Sequence, residues 1–465
     1  MATLPIADLV RGTQGALVGG SLDGVVTGVS IDSRTCAPGE AFFAIRGPRR
    51  DGHAFVADAL ARGARAAVVS RHPADLGLPA HIPVVLVDDT TLALQRLAAF
   101  HRRRLAIPVV AVTGSNGKTA TKELAAAVLG QRFRVLKAVG SFNNQWGLPL
   151  TLLRLERTHE AAVLELGMSA FGEIAALAQI AQPSVGVVTA IAPAHLEGVG
   201  SIEGVQKAKG ELVHAIPPDG LVVLNADDAL VLALAREARG HVVTYGQAAS
   251  ADVRLGEVSP VAGGLRFTIT TGDATAAVHL PLAGRHNAWN AAAAVAVGVA
   301  LEVSLAAAAA ALAHAAPLKG RLHWREAGGV RILDDTYNAN PASLRAALDA
   351  LGEGGVGGRA WVVFGDMLEL GAASEAAHEE AGRWVAALPV AGLATAGSAA
   401  RLTAGAAAAA GCPDVAAFDT PEETAAHVAA RVAAGDRVLV KGSRAMRMER
   451  AIETLLARLG GERPC

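Results

Sequence analysis

The feature that most constrains the fold of this chain is an apolar run that enters a glycine-rich turn and continues as an amphipathic helix. The segment reads IPVVAVTGSNGKTATKELAAAVL and covers residues 107–129. A strand, a turn and a helix in this order are typical of a parallel sheet covered by helices. The turn presents backbone N–H groups, a lysine and a threonine hydroxyl at a helix N-terminus, which suits nucleotide phosphates and Mg²⁺.

The predicted phosphate loop is a short form of the general pattern, because the residue five positions before Gly117 is Val112 rather than glycine. A turn of this sequence could also serve only as a tight connection between a strand and a helix. The strand before it and the helix after it favour the nucleotide-binding interpretation. The residues predicted to contact the nucleotide here are Gly114, Ser115, Asn116, Gly117, Lys118, Thr119 and Ala120.

Chain length and strand pattern predict three domains of the α/β class. The 465 residues exceed what one hydrophobic core usually supports, since domains hold roughly 100 to 200 residues. The expected domains are a small α/β domain, a central domain with a mostly parallel sheet and helices on both faces, and a doubly wound, Rossmann-like domain. They are assigned to residues 1–88, 89–317 and 318–465. In the third domain, helices are expected to begin near Pro341, Ser374 and Pro421.

The composition predicts a globular chain without a membrane span. Hydrophobic residues make up 52% of the chain and charged residues 18%, so there is ample apolar surface to bury. The alanine-rich stretch 291–313 is interrupted by Glu302 and inserts weakly into lipid. Asp8 and Arg11 interrupt the N-terminal segment, which therefore does not resemble a signal peptide, and we expect a cytoplasmic location.

Charge and cysteine usage exclude other classes of protein and partner. The formal net charge is −1, so nucleic acid is not an expected partner. We expect a monomer that acts on small molecules. The cysteines are scattered and odd in number, and they predict neither a disulfide framework nor a zinc site. They are Cys36, Cys412 and Cys465.

Two polar residues follow apolar strands of the central region. Glu165 ends one such run just before Gly167, and His195 follows another. A carboxylate at the carboxyl edge of a parallel sheet suits a Mg²⁺ ligand. A lone glutamate in this position is more often solvated or a helix cap, however, and a lone histidine is more often structural. The residues alone leave these alternatives open.

Seven segments, in this order, resemble the Mur ligase family, and they look like its D-alanyl-D-alanine-adding member. Together with the N-terminal stretches DSR and FFAIRGPRRDGHAF, they cover nearly the whole chain. The segments are TGSNGKT (113–119), SFNNQWGLPLTLL (141–153), ELGMSAFGEI (165–174), AHLEGVGSIEGVQKAKGEL (194–212), GRHNAWNAAAA (284–294), DDTYNANPAS (334–343) and GDMLELG (365–371).

The resemblance implies ATP-dependent ligation of D-alanyl-D-alanine to UDP-N-acetylmuramoyl-tripeptide through an acyl phosphate, in the synthesis of a cell-wall precursor. It implies that the N-terminal domain binds the UDP end, that the central domain binds ATP, and that the C-terminal domain binds the dipeptide and closes over ATP. It also implies a Lys209 that is carbamylated, since a carbamate converts a cation into an oxygen ligand. The alternative is a solvated helix lysine without a functional role, which is the interpretation that we prefer for Lys207.

The same resemblance assigns roles residue by residue. The implied catalytic residues are Lys118, Lys209, His195 and Glu165. The implied Mg²⁺ ligands are Thr119, Glu165, His195 and Lys209 as its carbamate. Further ATP contacts are Asn287, Asn290, Arg321, Asp335 and Tyr337, and substrate contacts are Ser30, Ser33, Arg34, Asn143, Asn144 and Asn338. Asn287 and Asn290 could instead cap their helix, and the charged segment 441–449 could serve either the acyl phosphate or the surface.

Sequence features distinguish three alternatives from this interpretation. A sister ligase that adds the third amino acid typically carries a DNPR-like motif, whereas this chain has DDTYNANP at residues 334–341. A folylpolyglutamate synthase lacks the separate N-terminal domain that residues 1–88 are expected to form. A nucleotide switch of the GTPase type would read guanine with an NKxD motif, which this sequence lacks.

Overall fold

The computed structural model describes residues 3–354 and 357–461, which form three sheets with flanking helices and one two-stranded ribbon. The predicted α/β class is confirmed. None of the helices in these two ranges has both the length and the apolar composition that a bilayer crossing requires. Cys36 and Cys412 are buried free thiols, and Cys465 lies outside the described residues.

The N-terminal region forms a five-stranded sheet in the order β2-β7-β6-β5-β4, in which only β2 is antiparallel to its neighbour. Strands β1 and β3 pair separately. The strands are β1 (Leu4–Pro5), β2 (Ala16–Gly19), β3 (Val25–Val26), β4 (Val29–Ser30), β5 (Ala41–Phe43), β6 (Ala66–Val69) and β7 (Val84–Leu86). The helices are α1 (Ile6–Thr13) and α2 (Val56–Ala61).

The central region is built on a ten-stranded sheet whose first seven strands run parallel. The strands are β8 (Val109–Thr113), β9 (Val135–Lys137), β10 (Ala161–Glu165), β11 (Val185–Val188), β12 (Leu221–Asn225), β13 (His241–Gly246), β14 (Val253–Leu255), β15 (Ser259–Val261), β16 (Gly264–Thr271) and β17 (Ala274–Leu280). The helices are α3 (Thr90–Arg102), α4 (Lys118–Leu129), α5 (Gly147–Leu152), α6 (Glu173–Ala181), α7 (Leu196–Val199), α8 (Ile202–Ala215), α9 (Ala229–Ala233), α10 (His286–Ala300) and α11 (Leu305–Leu312).

The C-terminal region forms a six-stranded sheet in the order β18-β19-β23-β20-β21-β22, parallel except for the edge strand β18. The strands are β18 (His323–Ala327), β19 (Val330–Asp335), β20 (Ala360–Gly365), β21 (Val390–Ala396), β22 (Val415–Phe418) and β23 (Arg437–Lys441). The helices are α12 (Pro341–Glu353), α13 (Ser374–Ala386), α14 (Ala400–Ala409), α15 (Pro421–Ala429) and α16 (Glu449–Arg458).

Local sequence explains where several of the helices begin. Ser201 accepts a hydrogen bond from the Gly204 N–H and caps α8. Asn340 caps α12 through a reciprocal pair of hydrogen bonds with Ser343, and Pro341 occupies the first turn, where its missing N–H has no cost. The predicted starts of α12, α13 and α15 are confirmed.

The apolar core explains why the central sheet is stable. All five residues of β8 are buried, because β10 and β11 flank the strand and helices cover both faces of the sheet. One hydrophobic cluster continues from the N-terminal sheet through α3 to the nearer face of the central sheet. Helix α3 contacts α1, α5 and α6, so it joins the two regions rather than separating them.

Strands β14 to β17 were not anticipated from the sequence. Strand β14 is parallel to β13, and β15, β16 and β17 extend the sheet with antiparallel pairs. In β16, Leu265, Phe267 and Ile269 are buried while the alternate residues are not. This period of two is the pattern of a strand with one covered face, so the sequence did carry a signal for it.

The buried sheet predicts a contrast between two leucines of the central domain. Leu224 in β12 is fully buried, whereas Leu232 in α9 is 38% exposed. Leu224→Ala should destabilise the central domain by about 2 to 5 kcal/mol, because it leaves a cavity in a close-packed core. Urea unfolding followed by circular dichroism measures the loss, with Leu232→Ala as the control. Equal midpoints for the two variants would contradict this account of the core.

Candidate active site

A cavity of about 920 Å³ lies where the central domain faces the C-terminal domain. Its floor is the carboxyl edge of the central sheet, because Val188, Thr113 and Glu165 end the adjacent parallel strands β11, β8 and β10. Loops that follow such strand ends form the usual crevice of an open α/β sheet. The predicted site residues that line this cavity are Ser115, Asn116, Gly117, Lys118, Thr119, Ala120, Asn143, Asn144, Glu165, His195, Asn287, Asn290, Arg321, Asp335, Tyr337 and Asn338.

The glycine-rich loop wraps closely around the start of α4. Gly117 has a φ of 83°, and a Cβ there would overlap the Oδ1 atom of Asn290, so only glycine fits. The Lys118 Nζ atom donates hydrogen bonds to the carbonyl oxygens of Gly114 at 2.7 Å and Ser115 at 3.2 Å. Burial lowers the pKa of Lys118, and the charge of Glu165 opposes that shift. The lysine is half-buried and held by the loop.

Glu165 is the centre of a buried hydrogen-bond network. Only 1% of the residue is exposed. Its Oε2 atom accepts a hydrogen bond from the Thr119 hydroxyl at 2.8 Å, and its Oε1 atom accepts one from the Asn143 amide at 2.7 Å. The side chain is therefore neither solvated nor a helix cap. An acidic side chain beside a phosphate loop hydroxyl offers two hard oxygen donors of the kind that Mg²⁺ prefers.

The two lysines of α8 lie in opposite environments. Lys209 is 1% exposed, whereas Lys207 is exposed and its Nζ atom lies 5.7 Å from the centre of the Phe171 ring. Burial, followed by repulsion from Lys118, lowers the pKa of Lys209 well below its ordinary value. Both effects favour the neutral amine. The structure thus does not support the interpretation of Lys209 as a solvated helix lysine.

His195 approaches the C-terminal domain across the seam. Its Nδ1 atom lies 2.6 Å from the Oε2 atom of Glu369. The imidazole of His195 lowers the pKa of Glu369. The residue has a φ of 55°, in the left-handed region that non-glycine residues seldom adopt.

Asn287 and Asn290 support the phosphate loop from α10. The Asn290 Oδ1 atom accepts a hydrogen bond from the Thr121 hydroxyl at 3.2 Å, and its amide donates to Asn287 Oδ1 at 2.9 Å. The Asn287 amide in turn donates to the Ala283 carbonyl oxygen at 2.7 Å. The start of α10 has no side-chain cap, so the capping interpretation of these asparagines is wrong.

The C-terminal domain contributes a cationic wall to the cavity. Arg321 donates a hydrogen bond from Nη2 to the Thr119 hydroxyl at 2.9 Å, and its guanidinium lies 4.0 Å from the centre of the Tyr337 ring. Asp335 forms a buried ion pair with Lys441, whose Nζ atom also donates to the Asn338 carbonyl oxygen at 2.9 Å. Arg321 and Thr119 thus connect the two domains directly.

Sequence reasoning missed three polar residues that shape the site. Lys441 is 1% exposed and lines the cavity, so of the two roles considered for its segment the surface role is wrong at this residue. Asn340 pairs its amide with that of Asn116, at 3.0 Å from Nδ2 to Oδ1. Buried Lys122 donates to the carbonyl oxygens of Ala138 and Gly140, anchoring the loop that leads to the Asn143 segment. A capping motif marked Asn340 in the sequence, whereas nothing local marked Lys122.

The N-terminal candidates lie apart from this cavity. Ser30 lines a second cavity of about 780 Å³ between the N-terminal and central domains. Arg34 is exposed and makes a two-point contact with Asp32, which lowers the pKa of Asp32 to about 2. Neither Ser33 nor Arg34 lines either cavity. Asn144 lines the main cavity, but its Oδ1 atom also accepts hydrogen bonds from the backbone at the start of α5.

Comparison with known proteins agrees with this geometry. Residues 25–102 match the Mur ligase family catalytic domain, residues 112–298 the Mur ligase middle domain, and residues 320–444 the Mur ligase glutamate ligase domain. The chain is 40% identical to the UDP-N-acetylmuramoyl-tripeptide--D-alanyl-D-alanine ligase of Escherichia coli over 381 residues, which cover 81% of each chain.

Solved structures show the same likeness. A crystal structure of MurF from Acinetobacter baumannii superposes with a TM-score of 0.88 at 34% identity, covering 98% of this chain and 99% of that one. The MurF ligase of Thermotoga maritima in complex with ADP gives a TM-score of 0.81 at 31% identity, covering 93% and 97%. With a phosphate loop and the buried Glu165 gathered at the cavity between two of its three domains, and with these matches along the chain, this chain belongs to the Mur ligase family.

Proposed function

We propose that this chain joins D-alanyl-D-alanine to UDP-N-acetylmuramoyl-tripeptide with ATP, and releases ADP and phosphate. The observation that carries the proposal is the meeting of Lys118, Thr119 and Glu165 with Arg321 of the C-terminal domain at one cavity. The curated relative from Escherichia coli carries this activity in its name, and the Thermotoga maritima relative binds ADP. We expect the protein to act as a cytoplasmic monomer.

The chemistry explains why a ligase needs a phosphate-binding site. A carboxylate is a poor electrophile, so the terminal carboxylate of the tripeptide first attacks the γ-phosphorus of ATP. The bond from that phosphorus to the bridging oxygen breaks, and ADP leaves. The amine of D-alanyl-D-alanine then attacks the acyl carbon, loses a proton, and displaces phosphate. Lys118 and Arg321 supply positive charge where the transferred phosphoryl group carries its negative charge.

The donor set in the cavity fits Mg²⁺. Thr119 and Glu165 place a hydroxyl and a carboxylate oxygen 2.8 Å apart beside the phosphate loop. Mg²⁺ is usually held by one or two carboxylates together with phosphates and water, and Glu165 is such a carboxylate. When bound, the ion neutralises phosphate charge.

Lys209 fits the chemistry of carbamate formation. A neutral amine attacks carbon dioxide, forms an N–C bond and releases a proton, so the lowered pKa that burial causes favours the attack. The product carries a negative charge, which removes the repulsion from Lys118. Its oxygen atoms would be ligands of a second Mg²⁺, for which His195 is the other proposed ligand.

Substrate binding divides between the two cavities in this proposal. The cavity that Ser30 lines, between the N-terminal and central domains, would receive the UDP end. Asn143, Asn144 and Asn338 line the main cavity, where the peptide end and the dipeptide would meet. The amide and carbonyl groups of such residues can pair with peptide groups. Asn287 and Asn290 would border the nucleotide, and Asp335 and Tyr337 would close over it.

An omission assay tests the overall reaction. Purified protein with ATP, Mg²⁺, UDP-N-acetylmuramoyl-tripeptide and D-alanyl-D-alanine should release phosphate and form the pentapeptide product. Leaving out any one component should abolish product formation. The acyl phosphate forms only from ATP and the tripeptide, and the amide forms only when D-alanyl-D-alanine attacks that acyl phosphate. Mass spectrometry detects the product. Glutamate offered in place of the dipeptide is the control, and efficient glutamate addition would contradict the proposal.

Replacement of the loop lysine tests the phosphate site. Lys118→Ala should raise the barrier by about 3 to 4 kcal/mol or more, which is over a hundredfold in kcat, since it removes charge stabilisation of the transition state. Lys137→Ala is the matched control, because Lys137 makes only an exposed ion pair with Glu123. Steady-state phosphate release measures both. A Lys118→Ala enzyme that keeps half of its activity would disprove the assignment.

The two lysines of α8 test the carbamate. Lys209→Ala should lose nearly all ligase activity, and added short carboxylic acids should restore part of it by supplying the missing oxygens. Lys207→Ala should stay near wild type, because Lys207 is exposed and lies about 200° around the helix. Both are measured by phosphate release with and without acetate or formate. The reverse ranking, or full activity in both variants, would remove the carbamate from the mechanism.

A further inference from the structure

The contact between His195 and Glu369 has no role in the reaction described so far. Glu369 belongs to the loop that follows β20 in the C-terminal domain, whereas His195 follows β11 in the central domain. Their side chains approach to 2.6 Å, although 59% of the Glu369 side chain is exposed. An exposed carboxylate on a surface loop can be hydrated by water instead of contacting another side chain. Its approach to the ring of a proposed metal ligand therefore needs an explanation.

Both residues of this contact have an uncommon backbone conformation. His195 has a φ of 55° and Glu369 a φ of 65°, and neither is glycine. Such conformations are costly, and they tend to persist at sites where the surrounding structure imposes them. Beside them, helix α7, which contains Glu197, and the turn at Gly371 are neighbours across the seam.

The chemistry of imidazole assigns a consequence to the contact. A neutral histidine carries its proton on one ring nitrogen and a lone pair on the other. A carboxylate beside Nδ1 holds the proton there and leaves the lone pair on Nε2. Carboxylates commonly orient metal-binding histidines in this way, and removal of such a partner typically weakens metal affinity or activity by about 10 to 100-fold.

We propose that Glu369 is a positioning residue that fixes the ring and the tautomer of His195 across the domain seam. The proposal rests on the proposed function, which makes His195 a Mg²⁺ ligand. It goes further in that the C-terminal domain completes the metal site without itself providing a ligand. His195 then presents Nε2 in one orientation only when this domain is seated on the central domain.

Binding of Mn²⁺ as a probe tests this role apart from turnover. The full-length protein is titrated with Mn²⁺ in the presence of a non-hydrolysable ATP analogue and the UDP-tripeptide, and bound metal is followed by electron paramagnetic resonance. Glu369→Ala should weaken the His195-dependent Mn²⁺ site by about 10 to 100-fold. Glu369→Gln should lose less, because its amide oxygen still accepts the Nδ1 proton. Glu197→Gln, an exposed carboxylate on the facing helix α7, should match wild type.

A double-mutant cycle separates positioning from a general effect of charge. If Glu369 acts through His195, Glu369→Ala should cause no further loss of Mn²⁺ affinity in a His195→Ala background. Wild-type affinity in Glu369→Ala, equal losses in Glu369→Ala and Glu197→Gln, or losses that multiply in the double variant would overturn the proposal. Thermal unfolding by circular dichroism verifies that each variant is folded.

The cycle also distinguishes this proposal from the function on which it rests. If His195→Ala weakens Mn²⁺ binding and Glu369→Ala does not, the metal site stands and the role of Glu369 falls. If His195→Ala leaves Mn²⁺ affinity unchanged, the second metal site itself falls, and the positioning role falls with it. Ligase activity in the Glu197→Gln control shows that the substrates and the assay are sound in either case.

Discussion

The site depends on a buried carboxylate that is hydrogen-bonded on both of its oxygens. Glu165 accepts from Thr119 and from Asn143, and Arg321 donates to the same threonine hydroxyl. A buried polar group that loses its partners is costly. The phosphate loop, the end of β10, the Asn143 segment and the C-terminal domain are therefore held together, and the shape of the cavity follows from that requirement.

Two lysines near this carboxylate, the half-buried Lys118 and the buried Lys209, have different electrostatic environments. Lys118 turns back to two loop carbonyl oxygens, which hold its ammonium group near the place where phosphates would bind. Lys209 is not assigned to phosphate binding. Burial and the charge of Lys118 favour its neutral form. The same desolvation that would make a second ammonium group unfavourable makes a nucleophilic amine available. One environment thus accounts for two lysines with different chemistry.

Sequence patterns predicted the structure best where it depends on residues close together in the chain. The apolar run before Gly114 and the amphipathic helix after Lys118 predicted a strand, a phosphate loop and a helix, and the structure has β8 and α4 there. The helix starts expected near Pro341 and Pro421 are confirmed. Strand-end positions brought Glu165 and the loop to one edge of the sheet, because neighbouring parallel strands end together.

By itself, therefore, the sequence determined the α/β class and the strand, loop and helix of the phosphate site, since each depends on hydrophobic period and turn chemistry within a few residues. The tertiary structure decided which charged groups are buried. Lys441, which sequence reasoning left between site and surface, pairs with Asp335 across 106 positions of the chain, and Glu369 reaches His195 from another domain. Burial and pairing of this kind arise only when distant segments pack, so no local pattern encodes them.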